Sequence, residues 1–245
     1  MRVDEIRGEV LAAARRLAGR ARETPVDRSP ALEKTTGGRV HLKLENVQHT
    51  GSFKVRGALN RVLALDDVAR RAGVVAASTG NHGAGVAYAC RAVGVSCRVF
   101  VPEGVSPSKL AAIESYGATL VSEGDDGVIA ERAARRYAER HGLVYISPYN
   151  DPLVIAGQGT IGEEVSRQLE HVDANFVGLG GGGLIAGVAG FLRTVHPEAE
   201  VVACSARNSA VMYESLHAGE ILDLESAPTL SDGTAGGVEG DAITF

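Results

Sequence analysis

Asn46-Val47-Gln48-His49-Thr50-Gly51-Ser52-Phe53-Lys54-Val55-Arg56-Gly57-Ala58-Leu59-Asn60 is the stretch on which the reading of this chain turns. The alternating run before it, Val40 to Leu44, predicts a strand, and the apolar run it opens predicts a helix to about Leu65. Thr50-Gly51-Ser52 has turn chemistry, with Ser52 suited to cap that helix. Lys54 then falls in the first helical turn, where the positive end of the helix dipole disfavours an ammonium by about 0.3–1 kcal/mol. Desolvation pushes the same way and populates the neutral amine, the form that Schiff-base chemistry needs. The competing reading is a surface lysine whose head snorkels to water. Of the 25 basic residues only four are lysines, so the choice is short. Lys34 lies in a polar turn, Lys43 within a strand and Lys109 behind a Ser-Pro helix start, which leaves Lys54 with the right setting.

At 245 residues the chain has ample length for one large or two small domains. A hydrophobic content of 44% with 22% charged residues describes an ordinary globular protein. The net charge of −5 argues against a nucleic-acid surface. Cys90, Cys97 and Cys204 lack disulfide or zinc spacing, and Cys90 and Cys97 read as core packing. The N-terminus predicts an amphipathic helix over residues 4–21, without the apolar core of a signal peptide. No apolar run reaches the ~20 residues of a membrane span, so a cytoplasmic protein is expected.

Beyond the Lys54 helix, strand and helix signals alternate. Strands are predicted at 73–77, 96–101, 119–121, 143–146, 175–179 and 200–204. Helices are predicted at 83–93, 106–116, 125–141, 155–169, 184–195 and 209–218, with a loop over 148–151. This order implies α/β architecture with doubly wound parallel sheets.

Two loops in this order carry ligand chemistry. Ala77-Ser78-Thr79-Gly80-Asn81-His82-Gly83 joins a strand to a helix, with glycines that let backbone amides approach an anion; an ordinary capped turn is the competing reading. Gly178-Leu179-Gly180-Gly181-Gly182-Gly183-Leu184 offers a nest of N–H groups at a helix start, enough to bind phosphate without a basic side chain. The same letters satisfy the dinucleotide fingerprint G-x-G-x-x-G. The strand at 200–204 ends in Ser205-Ala206-Arg207, with no acid for a ribose diol, although Arg207 could take a 2′-phosphate. A nucleotide-dependent oxidoreductase therefore stays open.

Ser52-Phe53-Lys54 after Leu42-Lys43-Leu44-Glu45-Asn46 resembles the cofactor-lysine segment of pyridoxal-phosphate (PLP) enzymes with the tryptophan-synthase-beta fold. Among these it most resembles the serine/threonine dehydratases. The later motifs recur in the family's order along essentially the whole chain. The resemblance implies two doubly wound domains with the cofactor cleft between them: a large one from residues 1–72 and 149–245, and a small inserted one at 73–148. It implies Lys54 as catalytic residue, with Phe53, Lys54, Asn81 and the phosphate cup Gly180, Gly181, Gly182 and Gly183 around the cofactor. Ser78, Thr79 and His82 would hold the substrate carboxylate, with His82 orienting its loop and the released lysine acting as base. Gly157-Gln158-Gly159-Thr160 fits the dehydratase pattern. In Leu230-Ser231-Asp232-Gly233, Asp232 would meet the substrate's β-hydroxyl and Gly233 the ring; a flexible glycine-rich connection is the competing reading.

The implied reaction removes water and ammonia from a β-hydroxy amino acid of the L-threonine or L-serine type. A homo-oligomer, a dimer by analogy, is expected. Racemase relatives carry a serine where this chain has Thr79, so racemisation is disfavoured. Cation-binding relatives carry acids where this chain has Ser205 and Val211, so no metal is expected. Relatives also continue several tens of residues past Phe245, with a Ser or Thr at the pyridine nitrogen. A truncated, catalytically silent PLP-binding domain is therefore the alternative.

Overall fold

The computed structural model describes residues 3–245. Its elements are α1 (Val3–Leu17), β1 (Val26–Arg28), α2 (Pro30–Thr36), β2 (His41–Lys43), α3 (Lys54–Leu63), α4 (Asp67–Ala72), β3 (Val74–Ala77), α5 (Asn81–Val93), β4 (Cys97–Val101), α6 (Pro107–Ser115), β5 (Thr119–Ser122), α7 (Gly127–His141), β6 (Val144–Tyr145), α8 (Pro152–Gln168), β7 (Ala174–Gly178), α9 (Gly183–Val195), β8 (Glu200–Cys204) and α10 (Val211–Ala218). No helix among the described residues is long and apolar enough to cross a membrane.

Four strands form a parallel sheet in the order β5-β4-β3-β6. The chain winds outward from β3 through β4 to β5, then returns along α7 to place β6 on the other side of β3. Strand order therefore reverses at β3, and ligands in open α/β sheets bind beyond the carboxyl ends of strands at such a point. Val74, Val75 and Ala76 are buried because both faces are covered. Val74 and Ala76 pack in the cluster that includes α5 and Ile113 of α6, while Val75 joins Phe100 and the alanines of α7. β7 and β8 form a second parallel pair, while β1 and β2 pair antiparallel.

The alternating order holds, but several boundaries move for physical reasons. Ser52 does not cap α3: Phe53 occupies the cap position in helical conformation, and the buried Ser52 hydroxyl has no hydrogen-bond partner. Lys34 lies in the last turn of α2 and not in a turn, and α4 was not anticipated. Asp126 precedes α7 as its N-cap, accepting from the Ile129 amide at 2.8 Å. α8 begins at Pro152, three residues before the expected start. There Asp151 accepts from the Leu153 and Val154 amides and from Arg61 Nε. The glycines of 157–159 serve helix packing: a Cβ on Gly157 would lie 2.6 Å from the Gly57 Cα, so α3 and α8 cross backbone to backbone.

An ionic cluster locks that crossing. Arg56, 1% exposed, presents Nε and Nη2 to the two oxygens of Glu45, each at 2.8 Å. Nη1 and Nη2 reach Glu164 on α8 at 2.6 and 2.9 Å. Nη1 also donates to Thr160 Oγ1 and Nη2 to the Arg22 carbonyl. Lys43 of β2 joins from the other side, donating to Glu164, Gln168 and the Thr24 carbonyl. Removing one member leaves buried carboxylates uncompensated. Arg56→Met is expected to cost ~3–5 kcal/mol by denaturant unfolding; a loss under ~1 kcal/mol would show that the cluster does not fix the crossing.

Candidate active site

A cavity of about 970 Å³ opens beyond the carboxyl ends of the parallel strands. Its walls are the loops that leave β3 (Ser78–His82), β4 (Pro102–Ser106), β6 (Pro148, Tyr149) and β7 (Gly180, Gly181), together with residues 232–237. Lys54, the first residue of α3, faces it. The Lys54 amine donates to the Pro148 carbonyl at 3.0 Å and lies 5.4 Å from the Phe53 ring centre. Phe53 itself packs with the α8–α9 core and does not line the cavity. Burial lowers the Lys54 pKa to about 8, and no acid beside it counters the shift. A carbonyl can accept from either protonation state, so the neutral amine is populated near neutral pH.

Asn81 and His82 begin α5, and Ser78, Thr79 and Gly80 form the turn before it; all five line the cavity. The Ser78 hydroxyl accepts from the Gly80 amide at 3.1 Å, closing the loop on itself. His82 is buried, and its Nε2 lies 2.9 Å from the Ile146 carbonyl, which can only accept. Nε2 therefore carries the proton. Burial first and the Lys54 charge second lower the His82 pKa to about 3, so the ring is neutral. That geometry suits a loop anchor and leaves Nε2 without a free lone pair.

The tetraglycine loop divides in two. Gly180 and Gly181 line the cavity, whereas Gly182 and Gly183 do not. Gly182, at φ +85° and capping α9, sits beneath Thr244. Gly183 sits beneath Tyr149, whose ring also lies so close to Gly181 that any Cβ there would overlap it. Thr244 Oγ1 donates to the Gly181 carbonyl at 2.7 Å. Asp232 and Gly233 line the cavity from a short 3₁₀ turn, with Gly233 brought up to the Asn81 side chain.

The sequence predicts only a loop over 148–151. In the structure, residues 146–150 touch nearly every part of the site: Ile146 meets His82, Pro148 meets Lys54, and Tyr149 covers the tetraglycine. The position of this segment at the carboxyl end of β6, beside the switch point, was the available signal. Glu239 was also missed, and no local pattern marks it.

Residues 17–245 match the family described as pyridoxal-phosphate dependent enzyme. The chain belongs to that family. It is 42% identical over 225 residues to the catabolic L-threonine dehydratase TdcB of Escherichia coli, covering 92% of this chain and 68% of that protein. It is 41% identical to the L-threonine ammonia-lyase of Thermotoga maritima, covering 97% of this chain but only 59% of that one. Among solved structures, the processed threonine deaminase isoform 2 of Solanum lycopersicum superposes with a TM-score of 0.91 at 35% identity, over 97% of this chain and 69% of the deaminase. The fold is thus the α/β fold, built on parallel sheets, of tryptophan-synthase-beta-like PLP enzymes, and PLP is the family's cofactor. Family membership removes the nucleotide-dependent oxidoreductase reading of the glycine loop.

The residues present fit that cofactor. An enclosed lysine with depressed pKa faces the same cavity as a glycine loop, at a helix N-terminus, where side chains have no room. Capture of PLP on Lys54 should therefore rise with pH through about 8, as the ammonium deprotonates. Borohydride trapping and peptide mass mapping measure this; capture that stays flat from pH 6 to 9 contradicts the assigned environment.

Proposed function

We propose that this chain carries the site of a PLP-dependent ammonia-lyase that removes water and ammonia from a β-hydroxy amino acid of the L-threonine or L-serine type, leaving a 2-oxo acid. The observation that carries the reading is the Lys54 amine, enclosed in the cavity and hydrogen-bonded to the Pro148 carbonyl, where burial lowers its pKa to about 8. Bound PLP supplies an electron sink for the charge left at the substrate Cα. Lys54 would hold the cofactor, and its neutral Nζ would take the Cα proton of the substrate.

Gly180 and Gly181, at the start of α9, would face the cofactor phosphate, with Gly182 and Gly183 shaping the turn beneath Thr244 and Tyr149. Asn81 would donate to the ring oxygen, and Phe53 would flank Lys54. Ser78, Thr79 and the amide end of α5 would hold the substrate carboxylate, with neutral His82 fixing that loop through Ile146. Asp232 would meet the β-hydroxyl, and Gly233 would allow close approach beside Asn81. In this reading residues 73–148 form a small domain inserted into a large one from 1–72 and 149–245, and the chain acts as a cytoplasmic homodimer.

Release of 2-oxo acid and ammonia from L-threonine, L-serine and L-threo-3-hydroxyaspartate tests the reaction. Lys54→Ala should abolish turnover and cofactor trapping together, and full turnover in that variant would sink the mechanism. The chain spans 68% and 59% of the two relatives above, which supports one other reading: PLP captured on Lys54 with no product from any of the three substrates marks a silent binding domain. For His82, the anchoring role predicts that His82→Gln lowers kcat less than about tenfold. Loss of a general base would cost about 10²–10⁴-fold.

A further inference from the structure

The carbonyl that receives the Lys54 amine belongs to Pro148, a residue with no N–H of its own to tie it down. Its placement depends on its neighbours, and one residue from far along the chain holds them, two through its side chain and one through its backbone. Glu239 Oε1 accepts from the buried Ser147 hydroxyl at 3.0 Å, and Oε2 accepts from Asn150 Nδ2 at 2.8 Å. The Glu239 amide donates to the Tyr149 hydroxyl at 2.8 Å. The Ser147 hydroxyl in turn accepts from the Asn150 amide at 3.0 Å, which closes the turn around Pro148. The outer face of the Glu239 carboxylate pairs with Arg135 of α7 at 2.6 Å.

We propose that Glu239 is a positioning residue for Lys54: by gripping Ser147, Tyr149 and Asn150 it fixes the Pro148 carbonyl and keeps the Lys54 amine enclosed. The inference rests on the assignment of Lys54 as the cofactor lysine. Glu239 does not line the cavity itself and makes no hydrogen bond to Lys54; it reaches the wall through the Tyr149 hydroxyl, so its effect runs through the turn. Five titratable groups share the cavity with Lys54: His82 of α5, Lys109 of α6, Glu131 of α7, Tyr149 after β6 and Asp232 of the segment above. Glu131 also pairs with Arg135.

Competitive acetic-anhydride labelling of the cofactor-free chain, with peptide mass mapping, reads the titration of Lys54 directly. With the turn intact, Lys54 should show an inflection near 8. Glu239→Ala loosens the turn and lets water reach the amine. The inflection should then move up toward the ordinary 10.5, cutting the neutral fraction at pH 7 about tenfold or more. Ser147→Ala, a milder change, should move it the same way. The double variant should shift it by less than the sum of the two single effects, because both remove the Ser147–Glu239 bond. Glu239→Gln, which keeps an acceptor for Ser147, should largely restore the inflection.

Arg135→Met removes the ion pair but leaves the turn contacts, and should leave the inflection near 8. An unmoved inflection in folded Glu239→Ala, no effect of Ser147→Ala, or an equal shift in Arg135→Met would each overturn the proposal. A normal Lys54 titration without PLP capture would instead sink the cofactor assignment and leave the positioning result standing.

Discussion

The direction in which Lys54 points depends on a guanidinium two residues further along the chain. Arg56 lies in the first turn of α3, between Glu45, which follows β2, and Glu164, on α8. A buried ion pair is weak evidence of net stability, because desolvation offsets most of the attraction. What it supplies here is angle. The planar fork of donors meets Glu45 through two parallel bonds and Glu164 through two more, so the start of α3 has little freedom to roll. The crossing of Gly57 and Gly157 sets the spacing of the same helices. Charge geometry fixes rotation and the absent side chains fix distance, and together they aim the first residue of α3 at the cavity.

Two lysines show how environment divides one chemistry into two roles. Burial lowers the pKa of both Lys43 and Lys54. At Lys43 the Glu164 carboxylate counters that loss, and the amine serves as a structural cation. At Lys54 the partner is the Pro148 carbonyl, and desolvation lowers the pKa without an opposing acid among the described residues. The second arrangement yields a nucleophilic amine near neutral pH. His82 follows the same logic: a neutral ring committed through Nε2 to a backbone carbonyl can orient a loop without competing for protons.

Much of the site was legible because its signals are local. Lys54 at a helix start, the glycines after β7 and the Ser78–His82 loop each follow a strand or turn whose pattern spans a few residues. The parallel sheet was readable from alternation alone. Contributions set by distant contacts were not. Ser52 reads as a cap, yet Phe53 occupies that position and the serine is buried beneath the turn. Four glycines announce backbone freedom but not which of them line the cavity; Thr244 and Tyr149, remote in sequence, pack over Gly182 and Gly183 and leave Gly180 and Gly181 in its wall. Glu239 sits in a glycine-rich stretch, and its partners lie about ninety residues away.

The clamp on Gly181 comes from Thr244, 63 positions later in the chain, and the turn at Ser147 is closed from 92 positions away. Contacts of such separation form late, after the entropy of closing long loops has been overcome. During synthesis the β3–β6 sheet can assemble from contiguous chain, but the walls beside Lys54 have to wait until residues 239–244 have left the ribosome. Until then the lysine and glycine loops are present without the contacts that shape them. Maturation of the cavity is thereby coupled to the arrival of this late segment, so a nascent chain interrupted before it would carry every short motif of the site and still lack the shape that joins them.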